Sequence, residues 1–289
     1  MIKRSAALAL LLAASAAGAQ EVPVFSGRMQ SGAWLRIRNY KGDIRVIETS
    51  GSTVTVNARR RFERREYDET KFEVKRDGDN VTVCAITERT RRCDEEGYDS
   101  RGGDDRSVGR SDFTVSLPRG VKLLASTGNG EVDVQNAGAE VRASSGNGEV
   151  NVNGARGRVS ASSGNGDVSV DRADGDVEVS SGNGDIRVTT SKGPVSASTG
   201  NGGIDVSMSS LSGSGDMEFS TGNGTITVAF PSNLSATIEA SGSYKGFETD
   251  FPINMGRGFS GNRVRGTIGS GARRIRLSTG NGQIRLRKI

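Results

Sequence analysis

From residue 119 onward the chain alternates apolar and polar positions in short bursts separated by glycine. Val150 and Val152, Val159 and Ala161, Val168 and Val170, Val177 and Val179, and Ile186 and Val188 are apolar pairs two residues apart. A period of two puts each pair on one face of a short strand and turns Asn151, Ser169, Glu178 and Arg187 to the other. The bursts belong to nonapeptides such as "SSGNGEVNV" from Ser144, "SSGNGDVSV" from Ser162 and "SSGNGDIRV" from Ser180. Gly-Asn-Gly triplets start at Gly128, Gly146, Gly164, Gly182 and Gly200, a spacing of 18, then at Gly222 after a four-residue insertion, and at Gly280. Two strands and two turns per 18 residues predict an all-β fold, a β-solenoid whose coil is two nonapeptide strand-turn units.

Coils of this kind stack about 4.8 Å apart. Stacking places Asn129, Asn147, Asn165, Asn183, Asn201 and Asn223 above one another, where their amides can hydrogen-bond along the stack as a structural asparagine ladder. The flanking glycines supply the tight corner. Ser144, Ser162 and Ser180 form a second polar row in the same way.

Glycine-rich polar repeats of this kind can bind calcium or ice. Calcium-binding nonapeptides follow G-G-x-G-x-D-x-U-x, and Val168 stands where the aspartate is needed. The acid beside it drifts through Glu131, Glu149, Asp167 and Asp185 to Gly203, Thr225 and Gln283. No metal and no cofactor is therefore expected. An ice-binding face needs one repeated outward residue, whereas the series Asp133, Asn151, Ser169, Arg187, Asp205, Thr227 has no order.

Residues 20–118 carry strand-like runs at 34–37, 44–47, 54–56, 72–74, 81–83 and 113–117. "RNYKGDIRV" from Arg38 reads as a decayed nonapeptide, so coiling can start there. "FEVKRDGDNVTV" from Phe72 reads as a hairpin with Asp77-Gly78 at its turn. An open solenoid end exposes unpaired backbone, and this irregular β region is the expected cap. The expected organisation is a signal peptide at 1–19, a cap region at 20–118 and the repeat solenoid at 119–289.

The signal peptide is read from Lys3 and Arg4, the apolar run 6–17 and the small residues Ala17-Gly18-Ala19, which place the mature start at Gln20. No cysteine follows that run to take a lipid, and no mature segment is apolar enough to span a membrane as a helix. Export to the periplasm or beyond is expected. In that oxidising setting Cys84 and Cys93 are expected to form a disulfide.

Composition narrows the chemistry. The 289 residues include 41 Gly, 5 Pro and no His. Without histidine, and with both cysteines paired, neither a Ser-His nor a Cys-His nucleophile exists. The glycines precede strands rather than helices, so no phosphate loop is present. No enzyme and no small-molecule substrate are expected. Between Arg59 and Arg110, basic runs such as Arg59-Arg60-Arg61, Arg64-Arg65 and Arg91-Arg92 are interleaved with acids, the mark of a solvated loop. No aromatic interleaving supports base stacking, so nucleic acid is not an expected partner.

One charge pattern is organised. Residues 251–289 carry nine bases and no acid. Arg263 and Arg265, Arg274 and Arg276, and Arg285 and Arg287 recur every 11 residues. If their strands are neighbours in register, six arginines form a grid suited to phosphate or carboxylate groups. The competing reading is that these residues keep the last edge strands soluble.

"DFTVSLPRGVKLLASTGNGEVDV" from Asp112, the run of G-[DE]-V-x-V units and the ending from Phe230 to Ile289 resemble the bacterial putative adhesin family, domain of unknown function 4097. The resemblance covers roughly residues 30 to 289. It implies an all-β repeat fold at the cell envelope and carries over no catalytic or binding residue. The function expected is a non-enzymatic, adhesin-like repeat scaffold of the envelope. The alternative is a module that binds an anionic envelope polysaccharide or lipid headgroup through the basic C-terminal face. Partners would be an envelope polymer, the membrane surface or a second copy.

Overall fold

The computed structural model describes residues 21–61, 70–101, 109–190, 192–212, 215–242, 246–255 and 263–289. The expected signal peptide, Arg64 and Arg65 lie outside them. Every regular element among the described residues is a β-strand, and two long sheets hold nearly all of them. Each 18-residue coil contributes one long strand, such as Val159–Asn165, to a 13-stranded sheet, and one short strand, such as Val168–Ala173, to a 12-stranded sheet. Because the long strands end on the repeated asparagine, the first is called here the asparagine sheet. The second is the opposite sheet.

Successive coils pair in parallel and in strict register. Val141, Val159, Val177 and Val195 align, as do Val132, Val150, Val168, Ile186, Ile204 and Ile226. These alternate residues face inward from both sheets and are buried in one continuous core. Each fully buried valine contributes roughly 1.5–3 kcal/mol. A one-residue slip would expose the whole set, so the apolar alternation fixes the register.

Coiling starts before the repeat becomes regular. Trp34–Lys41 pairs in parallel with Lys122–Asn129, and Ile44–Thr49 with Val132–Gln135. The decayed nonapeptide from Arg38 is therefore a true coil, and the core runs without a break past residue 119. At the N-terminal end Asn80–Ile86 and Arg110–Pro118 stack outside this first coil, each parallel to it. Antiparallel strands Lys71–Asp77, Thr53–Arg61 and Glu21–Arg28 then close the edges. The hairpin from Phe72 forms with its turn one residue later than expected. Asp77 pairs with Asn80, which leaves Gly78-Asp79 as the loop. Gly78, at φ +55°, takes the first loop place, where a positive φ favours glycine.

The other end mirrors this. After Ile226–Phe230 the chain builds an outer coil from Ala236–Ser241 and Phe247–Thr249. It then returns to place Arg274–Asn281 and Ile284–Lys288 between that coil and its predecessor. At both ends the first or last coil in sequence is held as an inner layer, and segments from further inside the sequence stack outside it; at the N-terminal end Glu21–Arg28 joins them as the edge strand of the opposite sheet. Short edge strands, such as Asn254–Met255 beside Arg263–Ile268, leave little backbone open to pairing.

Candidate functional site

The Gly-Asn-Gly corner is the feature most repeated along the chain, and its geometry assigns each residue a task. Asn165 donates its amide N–H to Asn147 Oδ1 at 2.8 Å, and Asn183 donates to Asn165 at 2.8 Å. The same bond joins Asn147 to Asn129, Asn201 to Asn183 and Asn223 to Asn201. All six expected asparagines form the ladder. Asn281 extends it by donating to Asn223 at 2.7 Å, because the last coil in sequence is inserted beside the coil that carries Asn223. The ladder lies on an exposed edge of the coil, except at its half-buried Asn129 end.

The glycines are required for two reasons. A Cβ on Gly164 would lie 2.5 Å from the Gly146 carbonyl oxygen, and one on Gly166 would lie 2.3 Å from that of Gly148. Gly166 also has φ +155°. Backbone stacked this closely leaves no room for a side chain.

A second row, one residue before each triplet, was not singled out by the sequence reading. Ser145, Ser163, Ser181, Thr199, Thr221 and Thr279 are buried. Ser163 Oγ donates to the Gly148 carbonyl of the preceding coil at 2.8 Å, and Ser181 repeats the bond to Gly166 at 2.9 Å. Thr127 does the same to Gly42 at 2.8 Å. The signal was present, since a hydroxyl residue precedes every triplet. Ser144, Ser162 and Ser180 do align as expected, in register with Ser126, Ser198 and Ser220, but on the outward side.

The acid after the triplet also serves the stack. Asp167 Oδ1 accepts from the backbone N–H of Asp185, and Asp185 Oδ1 accepts from that of Gly203, both at 2.8 Å. Asp43 accepts from Glu131 N–H at 2.9 Å. A longer or neutral residue at this place loses that bond and leaves the coil intact, which explains the drift.

Cys84 and Cys93 are joined, with Cα atoms 6.1 Å apart. The bridge fastens a small two-stranded flap over the outward side of the asparagine sheet. Tyr98 of that flap donates to the Ala85 carbonyl at 3.1 Å, and burial pushes its phenol pKa up. Arg38 donates to the Glu95 carbonyl beneath the flap at 3.1 Å, and burial lowers its pKa.

Part of the charge in the cap is paired, while Arg59, Arg61, Arg91 and Arg92 stand on the exposed surface. Asp112, a nearly buried carboxylate, gathers Arg61 at 2.7 Å, Arg110 at 3.2 Å and Arg59 at 3.5 Å. Arg110 also reaches Asp43 at 2.6 Å. Burial alone would lower the Arg110 pKa, but the Asp43 and Asp112 carboxylates outweigh it and raise it.

The six C-terminal arginines do not form one grid. Arg263, Arg265, Arg274 and Arg276 lie in the asparagine sheet, whereas Arg285 and Arg287 lie in the opposite sheet. Within the asparagine sheet, Ala236–Ser241 separates the two arginine strands. Glu239 of that strand stands between Arg265, at 3.3 Å, and Arg276, at 3.4 Å. Across the other sheet Glu248 and Asp250 pair with Arg287 at 2.7 and 3.2 Å, and Glu248 reaches Arg285 at 3.5 Å. The acids come from residues 239–250, just before the acid-free stretch. The sequence spacing of 11 concealed the strand that carries them into the array.

Residues 33–287 match the family described as Toastrack, domain of unknown function DUF4097. The chain belongs to that family. Among solved structures, a protein described as a putative adhesin from Bacteroides fragilis is 10% identical, with a TM-score of 0.45. The aligned region covers 92% of this chain and 97% of that one. A protein described as a putative cell adhesion protein from Clostridium sporogenes is 9% identical at a TM-score of 0.30, covering 93% of this chain and 99% of that one. None of the curated proteins is significantly similar to the chain.

Proposed function

We propose that this chain is an exported, non-catalytic scaffold of the cell envelope, with an adhesin-like role. One observation carries the reading: the polar residues that recur most often are engaged in bonds between coils. Asparagine amides, serine and threonine hydroxyls and aspartate carboxylates hold one coil to the next. A repeat used this way makes a rigid rod that displays a surface. Two further features support export. The N-terminal stretch has the charged, apolar and small-residue order of a signal peptide. Cys84 and Cys93 are bridged, as suits an oxidising compartment. The family resemblance and the descriptions of the two solved structures point toward adhesion.

The test is fractionation of cells that express the full chain, with mass spectrometry of the recovered protein. The expected result is a chain beginning at Gln20 in the exported or envelope fraction, two hydrogens lighter than its reduced form. A chain retaining Met1 in the cytosol with both thiols alkylatable would contradict it.

A further inference from the structure

The second corner of the coil, between the short strand and the next long strand, carries a groove of about 650 Å³. Its lining includes Glu48, Asn136, Arg156, Arg172, Asp174 and Thr189, drawn from five successive coils. Five coils span roughly 19 Å at the ordinary strand spacing, and the volume falls in the range of ligand sites.

Two features set this groove apart from a bare crease. Asn136, Gly154 and Arg172 occupy equivalent places 18 residues apart, and all have positive φ, at 57°, 76° and 52°. Glycine fits that backbone, and asparagine tolerates it. Arginine is strained there, although glycine serves one coil away. Arg172 also forms a bulge, since the pairing register shifts between Asp171 and Ala173. A bulge re-aims its side chain, and strain kept in a fold concentrates at functional positions. The second feature is the distribution of charge. Glu48, only 11% exposed, is held by Arg119 at 3.3 Å, and its Oε2 is buried with no hydrogen-bond partner. Asp174 is 3.6 Å from Lys192. Asp174 is thus answered from the flank of the groove, and Glu48 at one of its two oxygens. Arg156, 51% exposed, lies 4.0 Å from Glu48, and Arg172, 66% exposed, contacts Asp171 at 3.5 Å and Asn153.

We propose that this corner groove binds a carboxylate-bearing oligosaccharide. The planar guanidinium groups of Arg156 and Arg172 each present paired N–H donors to a carboxylate. Asn136 and Thr189 offer amide and hydroxyl groups to neighbouring sugar hydroxyls. The extended course across five coils suits a chain of sugars rather than a single small anion. The choice of a glycan partner rests on the envelope reading above, whereas the site rests on the groove itself.

The experiment is retention of the full chain on immobilised polygalacturonate at low salt, with dextran as the uncharged control. Wild-type protein is expected to bind polygalacturonate, not dextran, and to elute with salt. A double variant, Arg156→Gln with Arg172→Gly, is expected to bind at least about tenfold more weakly. Its melting temperature should be unchanged or higher, because glycine relieves the strained turn. Arg274→Gln with Arg276→Gln should bind like wild type. Absence of wild-type retention, undiminished binding by the groove variant, or an equal loss in the Arg274 and Arg276 variant would overturn the proposal. A cytosolic chain that still binds through Arg156 and Arg172 would refute the envelope reading and leave this site standing.

Discussion

The two corners of each coil obey different rules. At the first, Gly-Asn-Gly recurs with almost no change, and every side chain or missing side chain has a partner in the next coil. At the second, the same level reads Asn136-Ala137-Gly138, Gly154-Ala155-Arg156, Arg172-Ala173-Asp174 and Thr190 onward. Only the small buried residue Ala137, Ala155 or Ala173 stays constant. The difference follows from clearance. At the first corner backbone lies against backbone at both glycines of the triplet, so chemistry cannot vary. At the second such contact is confined to Gly157, Gly175 and Gly193, where a Cβ would lie 2.4–2.6 Å from backbone of the preceding coil, and the residues before them have room for charge, a groove and variation. In this fold, strict periodicity marks architecture, and departures from it mark where function can be placed.

Glycine substitutions break the comparison most directly. Gly166→Ala drives a Cβ to 2.3 Å from the Gly148 carbonyl, a backbone atom that cannot move aside. A cost of about 3 kcal/mol or more is expected in denaturant unfolding, with loss of the folded state in a marginal background. Gly154→Ala meets Asn136 Oδ1 at 2.5 Å, the end of a side chain that can rotate. Its cost should be about 1–2 kcal/mol, that of a left-handed backbone. Equal costs at the two sites would erase the distinction.

The cap offers an intermediate test, because its first coil has Tyr40-Lys41-Gly42 where the repeat has Gly-Asn-Gly. Lys41 takes the register place of the asparagine, and the disulfide flap covers this end. Reducing Cys84–Cys93 should cost roughly 2–3 kcal/mol. Hydrogen exchange should rise in residues 80–101 and stay slow at Val159–Asn165. Uniform loosening of the whole stack would show that cap and repeat are one cooperative unit.

The smallest effect is electrostatic. The buried Tyr98 phenol has a raised pKa and donates to the Ala85 carbonyl. Its stabilising contribution is complete below the ordinary tyrosine value of about 10. It is lost as pH rises through the higher value of the folded chain. Tyr98→Phe should lower stability at neutral pH by about 1 kcal/mol or less, through the lost hydrogen bond to the Ala85 carbonyl, and flatten the alkaline limb of the stability profile. An unchanged alkaline limb would assign that loss to other groups.

How much of this was legible in the sequence depended on periodicity. Val150, Val152 and their equivalents fixed the strands, the register and the 18-residue coil, and the recurring asparagines announced their ladder. The buried hydroxyls of Ser145, Ser163 and Ser181 were equally periodic. They were overlooked because serine beside glycine reads as a turn residue, and burial is invisible in a string of letters. The C-terminal arginines were misplaced for a different reason. Spacing along the chain does not reveal that Arg274–Asn281 returns to lie between Met217–Asn223 and Ala236–Ser241. The groove at the second corner was not legible, because its residues come from successive coils and places that recur, such as Asn136, Gly154 and Arg172, do not repeat a residue type.

The central claim is that the repeat is architecture, and that its buried hydroxyls bind the coils more strongly than its exposed asparagines. Denaturant unfolding of Ser163→Ala beside Asn165→Ala, each with and without calcium, tests it most directly. Ser163→Ala removes the donor to the Gly148 carbonyl in a buried place and should cost about 1–2 kcal/mol. Asn165→Ala, on the exposed edge where water can replace the amide, should cost about 0.5–1 kcal/mol. Calcium should shift neither curve. A greater loss at Asn165, or a stabilisation by calcium that a chelator reverses, would contradict the account.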